Sequence, residues 1–514
     1  MPSMAVATAI SLNGDDLTVE DVWSVAVAGE RAELSDAGRE KMQAARDLVE
    51  RAASTEHTYG INTGFGRFVE KSIPAELTEE LQLRLIRSHA CGVGDPYPDD
   101  VVRAAMLLRA NTLAKGYSGA RVETVELLLE CLNRGVLPVV PSRGSVGASG
   151  DLAPLAHLAL PLVGEGRAAY EGEILGGGEA LDRAGLAPVR LQAKEGLSLV
   201  NGTQFMAAVG ALALVRARRL VKSADIACAL SLEALQGSRV SFLPEIQALR
   251  PLEGQGQAAA NVLRLVEGSA IIEAHRWCDK VQDAYSLRCA PQVHGASRDL
   301  LRYAEATLAV ELNSATDNPL VLVDQDELVS NGNFHGQPVA FALDSIAIAL
   351  AELASISERR VERLVNPSLS GLPAFLTPDG GLNSGFMIPQ YVAAALVSEN
   401  KVLCHPASVD SIPTSAGQED HVPMGNASAL KALMVLANVE RALAIELLAG
   451  AQAIEFLAPL EGGVGVRAAH DFVRSLSPAV EDDRPLAEDI ELVATSIRSG
   501  DLVEAVERET GGLS

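Results

Sequence analysis

Apolar residues recur at close to a helical period along most of the chain. From Asp344, placed as an N-cap, they fall at Ile346, Leu350, Leu353, Ile356, Val361 and Leu364, which predicts a long helix. Phe205–Gln236 is rich in Ala and Leu, with Gly237 positioned to end it. A third stretch, Leu430–Ala458, stops at Pro459, which cannot continue a helix. All three are apolar nearly all round, so they belong inside a bundle or at a subunit interface. Strand signals are local. Val163–Arg190 carries Gly172, Gly176, Gly177 and Gly178 between short apolar runs, and predicts a small hairpin; Val321–Asn331 predicts another.

Composition narrows the functional classes. The 514 residues are 48% apolar and 21% charged, ordinary globular usage with enough chain for a large core. At roughly 150 residues per domain, that length alone corresponds to about three domains. Lys+Arg minus Asp+Glu is 42 − 67 = −25, a surface that repels nucleic-acid phosphates. Scarce lysine beside this acidity leaves a saline habitat open. Cys91, Cys131, Cys228, Cys278, Cys289 and Cys404 form no C-x-x-C pair, as expected of reduced cytoplasmic thiols. Met4–Leu12 lacks the basic flank of a signal peptide. Lys431, Glu440, Arg441, Glu446 and Glu455 interrupt the longest apolar region, so no membrane span is expected there. Neither H-E-x-x-H nor a cysteine cluster is present, and no metal is expected.

Two glycine-rich stretches carry more chemistry. Residues 59–66 read Tyr-Gly-Ile-Asn-Thr-Gly-Phe-Gly, a composition suited to a loop that closes over a ligand. Residues 141–157 run from a glycine-dense loop into a helix start, with Asp151 near the cap and Pro154 in the first turn. A phosphate loop would need G-x-x-x-x-G-K-[ST], which is absent. A nucleophile elbow would need glycine where Asp151 stands. The remaining reading is backbone chemistry within Ala148-Ser149-Gly150. Gly150 has no Cβ, so its nitrogen can press against the Ala148 carbonyl carbon. Cyclisation and loss of water, including the Ser149 hydroxyl, would give a methylidene-imidazolone (MIO) ring. A helix N-terminus beneath the ring would favour electron flow into it.

Residues 144–157, Gly-Ser-Val-Gly-Ala-Ser-Gly-Asp-Leu-Ala-Pro-Leu-Ala-His, resemble the signature of the MIO-dependent aromatic amino-acid ammonia-lyases. The resemblance runs from about residue 15 to residue 500. It takes in the 59–66 loop, Ser-His-Ala-Cys-Gly-Val-Gly (88–94), Glu-Gly-Leu-Ser-Leu-Val-Asn-Gly-Thr-Gln (195–204), residues 282–295, Thr-Asp-Asn-Pro (316–319) and residues 332–338. It implies a mainly α fold, a long central helical bundle of the fumarase/aspartase-like type with small β excursions. It also implies a homotetramer whose active sites each draw on three subunits. On that pattern residues 1–204 form an N-terminal catalytic region with lid and tripeptide, and residues 205–514 a long-helix region that completes the site and the tetramer core.

Within the family, Glu419-Asp420-His421-Val422 and His89-Ala90 are similar to the histidine branch, as is Asn383-Ser384-Gly385-Phe386-Met387-Ile388. Phenylalanine and tyrosine members usually have Gln in place of Glu419. A carboxylate there accepts an imidazole N–H but would be buried without a partner against a phenyl ring. The implied reaction is non-oxidative elimination of ammonia from L-histidine, giving trans-urocanate. Whether the α-amine or the substrate ring attacks the Ser149-derived methylene is not separable by sequence.

The resemblance implies a role for each matching residue. Tyr59 and Tyr285 serve as base or proton relay, with Glu419 counted beside them as catalytic. Ala148, Ser149 and Gly150 form the ring, and Asn201 bonds its carbonyl. Arg288 pairs with the substrate carboxylate, the geometry at which guanidinium excels. His89, Gln282 and Glu419 hold the imidazole, while Phe334 and Met387 line the pocket. His57, His275, His405 and His470 are read as structural, and Asp317 and Asn318 as fixing a turn before Pro319. Gly417, Pro423 and Gln337 depart from the usual Asn, Ser and Glu. The rivals are a tyrosine lyase or MIO-dependent aminomutase, a pyridoxal phosphate lyase, for which no lysine lies in the site motifs, and a non-catalytic assembly protein of the same fold.

Overall fold

The computed structural model describes residues 9–55, 63, 70–71, 73–276 and 280–514. It divides into two compact units. One comprises Met1–Val215, Ala304–Asp344 and Pro406–Leu430; the other comprises Arg216–Tyr303, Ser345–His405 and Lys431–Ser514. The chain therefore returns to the first unit twice, where the sequence reading cut once at residue 204. The longest helices, Gln204–Ala234, Gln337–Val365 and Gly425–Glu455, together with Ala290–Glu311, each contribute residues to both units.

Helix dominates, as the periodicity predicts, with boundaries displaced for local reasons. The helix expected to start at Asp344 begins at Gln337. Pro338 sits in its first turn, where a missing N–H costs nothing. Asp344 is buried one turn and more inside, and its carboxylate accepts from Ser408 N at 2.9 Å instead of capping. The second long helix ends at Ala234, and Gln236 (φ 51°) takes the left-handed position that Gly237 was expected to fill. Gly237 still closes the end by donating to Leu232 O at 2.7 Å. The third begins at Gly425 and stops at Glu455, before Pro459. Gln337–Val365 has the length and composition to cross a bilayer, but 67% of its apolar window is buried in protein.

Both expected hairpins form. Arg167–Tyr170 pairs antiparallel with Glu173–Gly176, and a third strand, Leu137–Pro138, joins its edge. Leu320–Leu322 pairs antiparallel with Glu327–Val329.

In the first unit the helix Asp99–Ala114 is buried on nearly every face from Val101 onward. Asp99 and Asp100 occupy its first turn, where negative charge suits the helix dipole. Nearby, Lys194 and Asp317 form a fully buried pair at 2.7 Å. Asp317 thus does more than set a turn: its other oxygen accepts from Asn318 N at 2.7 Å.

In the second unit the long helices meet through a dry polar network. Asp225 accepts from His294 at 2.7 Å and from Arg298. Arg360 grips Glu446 with two nitrogens, the Nη2–Oε2 arm at 2.9 Å, and Ser231 donates to the same carboxylate at 2.6 Å. Asp225, His294, Arg360 and Glu446 have no exposed surface. Such pairs add little net stability but are costly to break.

Candidate active site

The Ala148-Ser149-Gly150 segment precedes the helix Leu152–Ala159. Asp151 holds the N-cap position without capping. Its carboxylate accepts from Ser145 Oγ and Met206 N, both at 2.9 Å, and tethers the loop from two sides. Burial pushes this carboxyl up to about 6, against those hydrogen bonds.

Local backbone geometry fits ring closure. Ser149 and Gly150 both have positive φ, 53° and 72°, a strained run for a non-glycine residue of the kind found at functional sites. Gly202 N donates to Ser149 O at 3.2 Å, and Asp151 N donates to Gly202 O at 2.6 Å. Gly150 is thus clamped against Gly202, and a Cβ there would overlap the Gly202 carbonyl. The glycine is required by this close backbone approach. Ala148 is buried and Ser149 half-buried, so the reacting side chain keeps an open side. Asn201 adds a polar group fit for a ring substituent. Its Nδ2 donates to Asn318 O at 3.0 Å, and its buried Oδ1 has no partner.

The first unit also holds His89, Glu419 and Phe334. His89 ends the helix Thr78–His89. Its Nδ1 lies 2.8 Å from Leu85 O and 3.0 Å from Ser88 Oγ. With Nδ1–H donated to Leu85, Nε2 is left as an acceptor. Burial lowers its pKa, outweighing the Leu85 bond and the Glu419 charge, so the ring is neutral near pH 7. Glu419 is half-buried, and its Oε2 accepts from Thr414 Oγ1 at 2.6 Å. Among the described residues that is its one side-chain hydrogen bond. Phe334 is half-buried in the turn that leads to His335, whose ring stacks on His421 with centroids 5.9 Å apart.

Tyr285, Arg288, Gln282 and Met387 lie in the second unit. Tyr285 and Arg288 bracket one short helical turn. The Arg288 guanidinium carbon is 4.7 Å from the Tyr285 ring centroid, and its Nε is buried without a partner. Tyr285 is 71% exposed, so its own chain does not enclose it. Gln282 lines a cavity of about 460 Å³ with Arg239, His275 and Lys280. Met387 opens the helix Met387–Leu403 and is half-buried. Tyr59 and His57, most of the 59–66 loop, and Cys278 lie outside the described residues. His470 bonds Glu455 at 3.1 Å. Among the described residues no cluster of His, Cys, Asp and Glu could hold a metal.

The three unusual positions are accommodated. Gly417 has φ +84°, a conformation open to Gly and Asn alike. Gln337 donates to Ser408 O at 3.0 Å, as a carboxylate could not. Pro423 is buried against Gly147.

Sequence reasoning passed over Arg109, Thr414 and Ser145. Arg109 is fully buried, and its Nη1 donates to Asn201 O at 2.6 Å. The available signal was a guanidinium directly after the apolar run Ala104–Leu108, in a helix that also carries Arg103, Asn111 and Thr112.

Comparison with known proteins shows the family. The aromatic amino acid lyase family matches residues 17–475. The chain belongs to that family, whose general cofactor is MIO. The chain is 57% identical to the histidine ammonia-lyase of Gloeobacter violaceus and 56% identical to that of Stigmatella aurantiaca, each over 98% of this chain and 98–99% of the relative. Among solved structures, the histidine ammonia-lyase of Trypanosoma cruzi superposes with a TM-score of 0.91 at 46% identity, covering 98% of this chain and 96% of that one. A tyrosine aminomutase from Streptomyces globisporus gives 0.93 at 40% identity, over 99% and 100%.

Proposed function

We propose that this protein is an ammonia-lyase that converts L-histidine to trans-urocanate and ammonia. The observation that carries the substrate is the pair of acceptors, Glu419 Oε1 and His89 Nε2, which the described residues leave without donors. A histidine imidazole brings one N–H donor when neutral and two when protonated, so it can satisfy one or both. A phenyl ring offers no donor to either, a mismatch that favours the imidazole. Identities of 51–59% to proteins called histidine ammonia-lyase, over nearly the full length, support the same choice.

Ala148, Ser149 and Gly150 would form the MIO group, which supplies an electrophilic carbon that turns the substrate amine into a better leaving group. Arg288 would take the substrate carboxylate in a forked contact, with its orphaned Nε available as one arm. Tyr59 and Tyr285 would move the β-proton. Asn201 would bond the ring carbonyl through its amide. Gln282, Phe334 and Met387 would shape the remainder of the pocket. The exposure of Tyr285, and of Ile388, Tyr391 and Val402 on one helix, supports a homotetramer with composite sites; the unpaired cysteine spacing supports a cytoplasmic setting. A tyrosine aminomutase is the second reading, favoured by the 40% identity to such an enzyme; it would yield a β-amino acid.

The purified protein is to be incubated with L-histidine, L-tyrosine and L-phenylalanine while the ultraviolet absorbance of the arylacrylate products is followed. Urocanate from histidine, little product from the others, and no activity in Ser149→Ala are expected. Equal turnover of tyrosine would overturn the substrate, and an unmodified 148–150 peptide mass would overturn the cofactor.

A further inference from the structure

We infer that Arg109, which no step of the proposed reaction uses, polarises the Ser149 carbonyl through one intervening peptide group and so sets the electrophilicity of the ring. The inference rests on the reading that Ala148-Ser149-Gly150 cyclises. Closure joins Gly150 N to the Ala148 carbonyl carbon. Two waters leave, one carrying the Ala148 oxygen and one the Ser149 hydroxyl. The carbonyl left conjugated to the new carbon–carbon double bond is that of Ser149. When a nucleophile's electron pair bonds the terminal carbon, the double-bond pair moves towards the Ser149 oxygen. A donor on that oxygen therefore lowers the barrier.

The structure supplies such a donor and a charge behind it. Gly202 N–H donates to Ser149 O at 3.2 Å. The carbonyl of the same peptide unit, Asn201 O, accepts from Arg109 Nη1 at 2.6 Å. A cation on one end of a peptide makes the N–H at its other end a stronger donor, because hydrogen bonds in a chain polarise one another. The low dielectric of a fully buried site amplifies the effect.

Two further observations separate this from a structural ion pair. Among the described residues, Arg109 Nε and Nη2 are buried without hydrogen-bond partners. Asp317, the neighbouring carboxylate, is bonded to Lys194 at 2.7 Å and to Asn318 N; its charge favours the Arg109 cation through space, and among the described residues no ion pair joins the two. Burying a poorly compensated guanidinium is unfavourable, and packing alone would be served by an apolar side chain. A Cβ on Gly202 would stand 2.3 Å from Gln204 Oε1 and 2.9 Å from Arg109 Nη1, so glycine leaves room for both side chains.

The test compares wild type with Arg109→Met, Arg109→Gln and Arg109→Lys as intact proteins. Peptide mass reports the two-water loss at 148–150. Cyanide, a small nucleophile, reports electrophilicity without substrate, through its second-order rate of addition to that peptide. Steady-state kinetics with L-histidine separates kcat from KM. Arg109→Met should fold and cyclise, yet add cyanide on the order of tenfold more slowly. That is less than the loss of about 10²–10³ expected for a direct donor, since one peptide intervenes. Its kcat should fall in parallel with KM little changed, and Arg109→Lys should recover part of both. Arg109→Gln, which keeps a neutral donor, should lie between and carries the test should Arg109→Met fail to fold. Wild-type cyanide reactivity in a folded, cyclised Met or Gln variant overturns the inference, as does a folded variant that never cyclises. An unmodified wild-type peptide fails the cofactor reading itself and is read before any variant.

Discussion

Gly150→Ala isolates the clamp that poises the tripeptide. The new methyl would stand 1.9 Å from Gly202 O and 2.1 Å from Gly202 C, against about 3.5–4.0 Å for an ordinary carbon–carbon contact, so the two backbones must part by about 1.5 Å. That separation loosens two backbone hydrogen bonds, Gly202 N to Ser149 O and Asp151 N to Gly202 O. Alanine at φ +72° adds about 1–2 kcal/mol of strain, and each loosened bond adds about 1 kcal/mol or more, for a total of about 3–5 kcal/mol. If ~3 kcal/mol of this separates the poised loop from relaxed ones, the poised fraction falls roughly a hundredfold. Peptide mapping by mass spectrometry reads the outcome as the share of 148–150 peptide lacking two waters, alongside histidine turnover and a denaturant midpoint. The substitution keeps the nucleophilic N–H, so a purely chemical role for glycine predicts near-normal ring closure. A fully cyclised, normally stable Gly150→Ala protein would refute the clamp.

Glu419→Gln removes the charged acceptor while retaining the Thr414 contact; KM for histidine should rise by roughly 10- to 100-fold, equivalent to about 1.5–3 kcal/mol, and discrimination against tyrosine should narrow. In the second unit, Arg360→Met leaves Glu446 buried without its guanidinium and should cost about 3–5 kcal/mol in chemical denaturation, with Arg360→Met/Glu446→Leu regaining most of it; equal loss in single and double variants would dismiss the coupling. Burial raises the Glu233 carboxyl to about 7, against hydrogen bonds from Gly463 N and Ser269. Between the ordinary carboxylate pKa and 7 the folded state holds a proton the unfolded chain has released, so this residue costs stability as pH rises, by up to about 3 kcal/mol above pH 7. Glu233→Gln should accordingly gain more stability at pH 8 than at pH 5, and identical gains at both would contradict the assignment.

The helical architecture was legible because long apolar runs with few charges have one economical fate, burial against one another. Boundaries were less so. Asp344 reads as a cap because it precedes an apolar run, but Pro338 had already permitted an earlier start and Ser408, 64 residues away, claimed the carboxylate. The family was legible through the glycine-rich 144–157 motif, which lies within the matched residues 17–475. Arg109 was not, because its meaning lies in Asn201 O and Gly202 N, which local periodicity cannot bring together. The single cut at residue 204 missed the two returns of the chain for the same reason. Only the contacts of Asp317 and Asn318 with Lys194 and Asn201 reveal which unit those residues serve.

Those returns have a consequence for synthesis. The loop that carries Ser149 is held by Gly336 N on Gly147 O, Met424 N on Val146 O, and Asn426 Nδ2 on Ser142 O. None of these partners exists when the tripeptide leaves the ribosome; the last is translated 284 positions later. A nascent chain arrested before Met424 therefore lacks the last two of these three anchors. On the proposed ring closure, chains truncated before Met424 should cyclise less completely at residues 148–150 than the full chain, as peptide mass would read.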